Sequence, residues 1–277
     1  MKRDGLVLGM DEDTYHGGPE FSSSAAKLLM RTPAHYKHTY IDGHREKKKA
    51  WDIGTAVHAK VLGVGADTVS CPPELLASNG AMSTKAAKEW RAEQEDAGRI
   101  VVSASDLEQI DAMAESVLSH GLARSWLELP GNSEASMFAT DPDTGVPLRC
   151  RFDRLPDDPR AAIDLKTTLD ASPQGFSRRA HDLEYHLSRA FYLHVAELAG
   201  HERAEMVFIA VENKAPYLVA VYQLTQPFAD RGARRARYAI DLLKRCQDAG
   251  EWPGYSPNLE FLDEPPYAMY QDETENQ

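Results

Sequence analysis

Asp153, Asp164 and Lys166 are the residues of this chain whose types and spacing most clearly suggest chemistry. Each lies in a run of alternating apolar and polar residues that predicts a β-strand, and alternate residues of a strand share one face. Asp164 and Lys166 therefore point the same way. If the strand that carries Asp153 pairs with theirs, we expect the three charged groups to converge on one patch.

Such a patch could bind a divalent metal ion and a phosphate. Mg²⁺ prefers oxygen ligands such as carboxylates, and Mn²⁺ accepts the same ligands. A nearby lysine can orient a water molecule or stabilise the negative charge that develops on a phosphate. This is the chemistry of a metal-dependent nuclease. An Asp-x-Lys pair on a strand is also common on solvated faces, so the interpretation depends on the rest of the chain.

Several arginines could bind the phosphates of DNA, because the guanidinium group is a planar and permanently charged fork. Arg149 and Arg151 alternate onto the same strand face as Asp153, which favours a functional role. Arg231, Arg234 and Arg235 are spaced along one face of the last predicted helix. For this second set a solvated face is the simpler interpretation.

The composition is that of an ordinary globular protein, with 42% hydrophobic and 27% charged residues among 277. No apolar run is long enough for a membrane span, and the N-terminus does not resemble a secretory signal. The three cysteines are widely separated, which gives no zinc spacing and suits a reducing compartment. We therefore expect a protein of a reducing cytoplasm with no membrane partner.

The net charge of −12 argues against a protein that coats DNA with its whole surface. A nuclease that encloses DNA in a local cleft needs only a positive lining. The charge is therefore compatible with a nuclease.

The order of the predicted elements indicates an α/β (α+β) fold in which a central mixed β-sheet is flanked by helices. We expect one domain over residues 1–277. It would comprise a mainly helical part at 1–130, a catalytic core at 131–250 and a tail at 251–277.

Local signals predict the individual elements. Serines at 22–24 can cap a short helix that ends near Pro33, and Ser83 and Ser105 can each cap a later helix. The turn at 141–145 predicts a β-hairpin. The predicted helices are 51–63, 83–98, 105–120, 183–199 and 227–248, and the predicted strands are 134–140, 147–154, 161–168, 205–212 and 217–224.

Taken in order, the motifs resemble the PD-(D/E)XK nuclease superfamily, and more closely its exonuclease VIII (RecE-type) branch, which phages and prophages carry. The resemblance runs from about Ser22 to Tyr270, and the ordered set is more specific than any one motif. The motifs are Ser-Ser-Ser with Thr-Pro-Ala-His-Tyr, Gly-Thr-Ala-Val-His, Glu134 before a Thr-Gly turn, Arg-Cys-Arg-Phe-Asp, Ile-Asp-Leu-Lys-Thr-Thr and Tyr-His-Leu-Ser-Arg-Ala-Phe-Tyr.

The resemblance implies roles for individual residues. Asp153 and Asp164 resemble the two metal-binding carboxylates, and Lys166 resembles the catalytic lysine. His58 stands where related nucleases use a histidine beside the metal, although a packed core histidine is the alternative. Glu134 either reaches the metal or lies on the exposed face of its strand.

The helix after these strands matches the family less completely. Related exonucleases carry Gln-x-x-x-Tyr there, with both side chains near the active site. Tyr192 matches the tyrosine and is predicted to be catalytic, but Ser188 replaces the glutamine and is shorter. Either a water molecule, His186 or Arg189 substitutes, or the activity is altered. We expect Thr167, Ser188 and Arg189 to contact DNA.

The resemblance implies a Mg²⁺-dependent deoxyribonuclease that degrades double-stranded DNA from its ends, 5′→3′, and leaves a 3′ single strand for an annealing recombinase. The Leu165 carbonyl would join the metal ligands, and a homo-oligomer is plausible because processive members form rings. Two alternatives stay open. One is an endonuclease or single-strand exonuclease on the same fold, and the other is a catalytically weakened protein that only binds DNA or a partner.

Overall fold

The computed structural model describes residues 4–45 and 53–263. Most of the basic run at 44–49, the first two residues of the predicted helix 51–63 and the end of the tail lie outside these ranges. The division of the chain into three parts stays a prediction.

The strands of the described ranges are β1 (Gly5–Val7), β2 (Thr68–Ser70), β3 (Ile100–Val102), β4 (Gly131–Thr140), β5 (Pro147–Pro156), β6 (Ala162–Thr168), β7 (Met206–Glu212) and β8 (Val219–Tyr222). The α-helices there are α1 (Glu12–Gly17), α2 (Ser23–Arg31), α3 (Pro33–Tyr36), α4 (Ile53–Leu62), α5 (Lys85–Asp96), α6 (Ala104–Ser119), α7 (Gly121–Leu127), α8 (Pro173–Asp182), α9 (Tyr185–Leu198) and α10 (Gln226–Ala249). A π-helical turn at Lys37–Ile41 follows α3, and Pro73–Leu75 form a 3₁₀ turn.

Six of these strands form one mixed sheet in the order β1-β4-β5-β6-β7-β8. β6 and β7 run parallel, and the other neighbours run antiparallel. This confirms the predicted mixed sheet and the hairpin of β4 and β5. A parallel pair needs a crossover, which α8 and α9 provide between β6 and β7.

Helices cover both faces of the sheet, so each face has its own core. On one face Phe152, Phe208 and Ala210 pack with α2, α9 and α10. On the other face Ile163 and Leu165 pack with α4, α6 and α7. A sheet buried on both faces explains why its central strands are almost continuously apolar.

Hydroxyl side chains cap the starts of α2, α5 and α6 as expected, but the capping residue is not always the predicted one. Ser22 caps α2 as predicted, since its hydroxyl accepts a hydrogen bond from the Ala25 N–H at 3.3 Å. The caps of α5 and α6 are Thr84 and Ser103, so the predicted caps Ser83 and Ser105 are wrong. A neighbouring residue of the same type took each role, because capping depends on where the chain enters the helix.

The segment predicted as one helix at 183–199 is the second of two helices. α8 ends at Asp182, and Glu184 then adopts a left-handed conformation with φ of 53° before α9. Leu183 therefore lies in the turn, 37% exposed, rather than in the helix that was predicted to include it. Leu187, Phe191 and Val195 are buried on one side of α9.

The N-terminal part contains strands that the sequence did not predict. β1 pairs with β4 at the edge of the main sheet, and β2 pairs with β3 in a separate two-stranded sheet. Each has three residues, too few for a period-two pattern to show. Within the described ranges no helix is both long and apolar enough to cross a membrane.

Candidate active site

β5 and β6 separate beyond one residue pair, and the place where they part, around Asp153, Asp164 and Lys166, is called the cleft below. The two strands, both fully described, share the single residue pair Arg154↔Ile163. One position further along, the Asp153 carboxylate takes the place of a strand carbonyl and accepts a hydrogen bond from the Leu165 N–H at 2.7 Å. Separation of the strands lets side chains from both faces of the sheet enter the same space.

Three charged groups meet in this cleft. Lys166 Nζ lies 2.6 Å from Asp164 Oδ2 and 4.0 Å from Asp153 Oδ2. It also donates a hydrogen bond to the Leu165 carbonyl at 3.2 Å. The predicted convergence is therefore correct, but Asp153 alternates with Phe152 and comes from the opposite face of the sheet rather than from the face of Asp164.

Burial controls the electrostatics of the cleft. It raises the pKa of the Asp164 carboxyl, and the positive charge of Lys166 opposes this increase. Burial alone would lower the pKa of Lys166, but Asp164 and Asp153 outweigh it and raise that pKa above its usual value. Lys166 is therefore an ammonium group at neutral pH.

His58 lies beside the cleft on α4. Its Nδ1 atom is 3.6 Å from Asp153 Oδ2, and its side chain is 23% exposed. Val57 and Val61 on the same helix are buried in the core formed with α6. The helix is thus fixed by its apolar side while His58 faces the carboxylates, which places it where the sequence predicted.

Glu134 is directly across from Asp153 in the β4–β5 register, between the pairs Ser133↔Arg154 and Ala135↔Phe152. Its φ of 50° is left-handed, which is uncommon for a residue other than glycine. Burial, followed by the charge of Asp153, raises the pKa of its carboxyl to about 7. Glu134 thus belongs to the carboxylate group of the cleft.

The helix α9 brings aromatic side chains to the same place. Tyr192 packs its ring edge against Phe152, with 5.4 Å between centroids. Burial raises the pKa of its hydroxyl well above the usual value, and the charges of Asp164 and Asp153 add to the increase. Ser188, one turn earlier, is half-buried, and no side-chain contact links it to the carboxylates among the described residues.

The predicted phosphate contacts of Arg149 and Arg151 are wrong. Arg149 is 1% exposed and donates to the carbonyl groups of Tyr15, His16 and Gly18. Arg151 donates to Ser136 and to the Met10 carbonyl. Both do lie on the face of Asp153, but the N-terminal segment around α1 covers that face and binds both guanidinium groups.

Two further DNA contacts predicted from the sequence face elsewhere. Arg189 forms an ion pair with Glu205, and its side chain is 12% exposed, so its charge is already neutralised. Thr167 alternates with Lys166 and lies on the Leu165 side of β6. Neither residue is brought together with the carboxylates.

Lys27 is close to the cleft, although the sequence did not single it out. Its Nζ atom donates to the Leu183 carbonyl at 2.7 Å and lies 6.0 Å from the centroid of the Tyr185 ring. Lys166 Nζ lies 5.6 Å from the same centroid. Burial, and then the charge of Lys166, lower the pKa of Lys27 to about 8. A lysine on an amphipathic helix gives no sequence signal of such a position.

Comparison with protein families identifies the fold. A family described as a PDDEXK-like domain of unknown function (DUF3799) matches residues 22–265. The chain belongs to this family. Membership confirms the predicted PD-(D/E)XK superfamily. The assignment of Asp153, Asp164 and Lys166 to the carboxylates and lysine of that superfamily stays a prediction.

A solved structure has the same fold. The PDDEXK-like chain resembles a candidate exonuclease from Eubacterium rectale, with a TM-score of 0.60 and 11% sequence identity over 96% of this chain and 98% of that one. An alkaline exonuclease from Laribacter hongkongensis matches with a TM-score of 0.27 and 15% identity, over 70% of this chain and 98% of that one. A comparison with curated proteins finds no match.

The side chains of the PDDEXK-like cleft fit a hard divalent ion by their chemistry. Carboxylates, a backbone carbonyl and an imidazole are suitable donors. Asp164 Oδ2 is buried and makes no hydrogen bond of normal geometry, only the ion pair with Lys166. In the described ranges no three His, Cys, Asp or Glu side chains already surround one point. Binding would therefore require the carboxylates to turn away from Lys166.

Proposed function

We propose that this PDDEXK-like protein is a metal-dependent deoxyribonuclease that degrades double-stranded DNA from its ends. The observation that carries the proposal is the meeting of Asp153, Asp164 and Lys166 in one cleft, with Lys166 Nζ within 4.0 Å of both carboxylates. Burying these charges is unfavourable unless they are paired. A purely structural cluster would have little reason to keep two carboxylates for one lysine.

Asp153, Asp164 and the Leu165 carbonyl would hold the metal, with His58 and Glu134 beside them. A bound Mg²⁺ would supply Lewis acidity toward the phosphate and toward a coordinated water. Mn²⁺ would substitute because it accepts the same ligands.

The side chains divide the remaining tasks. Lys166, as an ammonium group, can orient the attacking water and stabilise the charge of the phosphate. Its raised pKa favours these roles, because the group already holds the proton that a general base would have to accept. Tyr192 keeps its proton, because its pKa is raised, and its hydroxyl can donate a hydrogen bond. The Leu165 N–H holds Asp153 in position.

The finer proposal follows the RecE-type resemblance. The protein would act in the bacterial cytoplasm, degrade one strand 5′→3′, and pass the 3′ single strand to an annealing recombinase. A homo-oligomer that surrounds DNA would make such degradation processive.

Linear duplex DNA labelled at either the 5′ or the 3′ end tests this function. We expect release of the 5′ label with Mg²⁺, no release with EDTA or with Asp164→Asn, and no cutting of a closed circle. Cutting of the circle would favour the endonuclease alternative. DNA binding without cleavage in Mg²⁺ or Mn²⁺ would overturn the nuclease proposal.

His58→Ala should weaken the response to metal more than the fold. The imidazole lies 3.6 Å from Asp153, so its loss removes either a ligand or the group that orients one. Such changes typically lower metal affinity or activity about 10- to 100-fold. We therefore expect the Mg²⁺ concentration for half-maximal cleavage to rise by about tenfold or more.

His38→Ala is the matched control, because His38 is exposed and stacks on His44 away from the cleft. An unchanged Mg²⁺ response of His58→Ala would remove His58 from the site.

A further inference from the structure

The turn between α8 and α9 has cations on both sides. From α2, the Lys27 ammonium donates to the Leu183 carbonyl at 2.7 Å. From α10, the Arg235 guanidinium forms an ion pair with the Glu184 carboxylate. The turn therefore links the surroundings of Lys166 to the exposed surface of α10.

A hollow of about 360 Å³ lies on the α10 side of this turn. It is lined by His181, Asp182, Glu184, His186, Arg231 and Arg235. Two of its positive groups come from α10 and two imidazoles come from the α8–α9 connection. Its acidic groups already have partners, since Glu184 pairs with Arg235 and Asp182 lies 3.4 Å from His181.

His186 is the most unusual residue of the hollow. Its side chain is 1% exposed, and neither ring nitrogen makes a hydrogen bond of normal geometry within the described residues. Burial lowers its pKa, while the nearby Ala180 backbone acts in the opposite direction. A buried polar group without a hydrogen bond is unfavourable. A ligand oxygen in the hollow would satisfy the ring N–H.

Arg231 supplies a charge that no described carboxylate neutralises. It is exposed and lies one helical turn before Arg235, on the same side of α10. Both arginines line the hollow together with His186. A cation that is exposed and unpaired next to a buried donor suits an anion, and phosphate matches the guanidinium fork.

The hollow is close to the proposed site of cleavage. Lys27 and Lys166 approach one aromatic ring, that of Tyr185, at 6.0 and 5.6 Å from its centroid. Tyr185 directly follows Glu184, which lines the hollow. Positive groups thus continue from Lys166 through Lys27 to Arg235 and Arg231.

We propose that Lys27, His186 and Arg231 form a phosphate track that binds the backbone of a nucleic-acid strand beyond the phosphate that is cleaved, with Arg235 beside them in its ion pair with Glu184. The inference rests on the proposed function for its substrate. The track reads no bases, because its donors suit phosphate oxygens. It gives Arg231 a functional role in place of the simpler interpretation as part of a solvated face.

DNA binding by the full chain with Asp164→Asn, which prevents cleavage, tests the track. A fluorescent duplex with a single-stranded tail is titrated at several salt concentrations, and Kd is obtained from anisotropy. We expect Arg231→Gln to weaken binding about tenfold, the effect of one charge-assisted hydrogen bond. The slope of log Kd against log salt should fall by about 0.7–0.9, the value for one phosphate contact.

Arg234→Gln is the matched control, because it removes the same charge from the same helix outside the lining of the hollow. It should leave the salt slope unchanged. Lys27→Met combined with Arg231→Gln should lower the slope about twice as much as Arg231→Gln alone. A slope that is the same for Arg231→Gln and Arg234→Gln would overturn the track.

Two further arms separate the possible failures. Inorganic phosphate is added as a competitor of the DNA. Release of the DNA at a low phosphate concentration would indicate a site for a free anion, whereas retention of the DNA would indicate a site that needs a polymer. Cleavage by the wild-type chain is measured independently. Cleavage without the slope change would reject the track alone, and the slope change without cleavage would reject the nuclease proposal alone.

Discussion

Lys166→Met should slow cleavage strongly while the protein still binds DNA. The substitution keeps most of the side-chain volume and removes the ammonium group that lies 2.6 Å from Asp164 and 4.0 Å from Asp153. Loss of one group that stabilises charge in a transition state typically lowers kcat about 100- to 1,000-fold. We expect a decrease of this size in the rate of 5′-label release at saturating Mg²⁺ and DNA.

The same substitution should also make the stability of the protein depend more on Mg²⁺. Without Lys166, the buried Asp164 and its neighbour Asp153 lose their counter-charge, which is strongly unfavourable. Mg²⁺ should therefore raise the thermal midpoint of Lys166→Met more than that of the wild type. Lys85→Met is the control, since its ammonium is on the surface of α5 with 89% of the side chain exposed. Equal cleavage by wild type and Lys166→Met would rule out the proposed role of the lysine.

Asp141→Asn should destabilise the fold without touching the cleft. Asp141 is fully buried at the β4–β5 turn, where it accepts hydrogen bonds from Thr144 and pairs with Arg237 of α10 at 2.7 Å. His194 of α9 lies 3.2 Å away. Loss of one partner from a buried pair costs about 3–5 kcal/mol. Urea unfolding should show a decrease of about this size in the free energy of unfolding.

The difference in the free energy of unfolding between the wild type and Asp141→Asn should depend on pH in one direction. Burial would raise the pKa of Asp141, but the hydrogen bonds from Arg237, Thr144 and His194 outweigh it and hold the pKa well below 3.8. The carboxylate therefore contributes its stability above that value and loses it as the pH falls through the lower folded-state pKa. The difference between wild type and Asp141→Asn should be constant near neutrality and narrow in strong acid.

Asp143→Asn is the matched control in the same turn. Its side chain is 81% exposed and 3.9 Å from Arg237, so its loss should cost about 1 kcal/mol or less. If the two variants unfold at the same urea concentration, the link between the hairpin and α10 contributes little.

Local patterns predicted what depends on neighbours in sequence. The alternation of apolar and polar residues located β5 and β6, and with them Asp153, Asp164 and Lys166, because the period of two is a property of neighbouring residues in the sequence. The turn at 141–145 was also predictable, since the Asp141 side chain binds the backbone of Thr144.

What depends on distant segments could not be predicted in this way. Arg149 was assigned to the correct strand face, but its burial depends on the carbonyl groups of residues more than 130 positions earlier. Lys27 reaches the cleft only because α2 packs beside the α8–α9 turn. The separation of β5 from β6 is likewise a property of the whole sheet, and no local pattern marks it.

The separation of β5 from β6 gives Asp153 a structural role in addition to its proposed role in metal binding. Its carboxylate satisfies the Leu165 N–H at a place where no strand carbonyl does so, and an unsatisfied buried N–H would destabilise the sheet. A descendant of this protein that lost its chemistry would still be under selection to keep an acceptor at position 153. Lys166 and Asp164 have no comparable structural role. In a set of descendants, the presence of both Lys166 and Asp164, rather than the presence of Asp153, would therefore distinguish active enzymes from inactive ones.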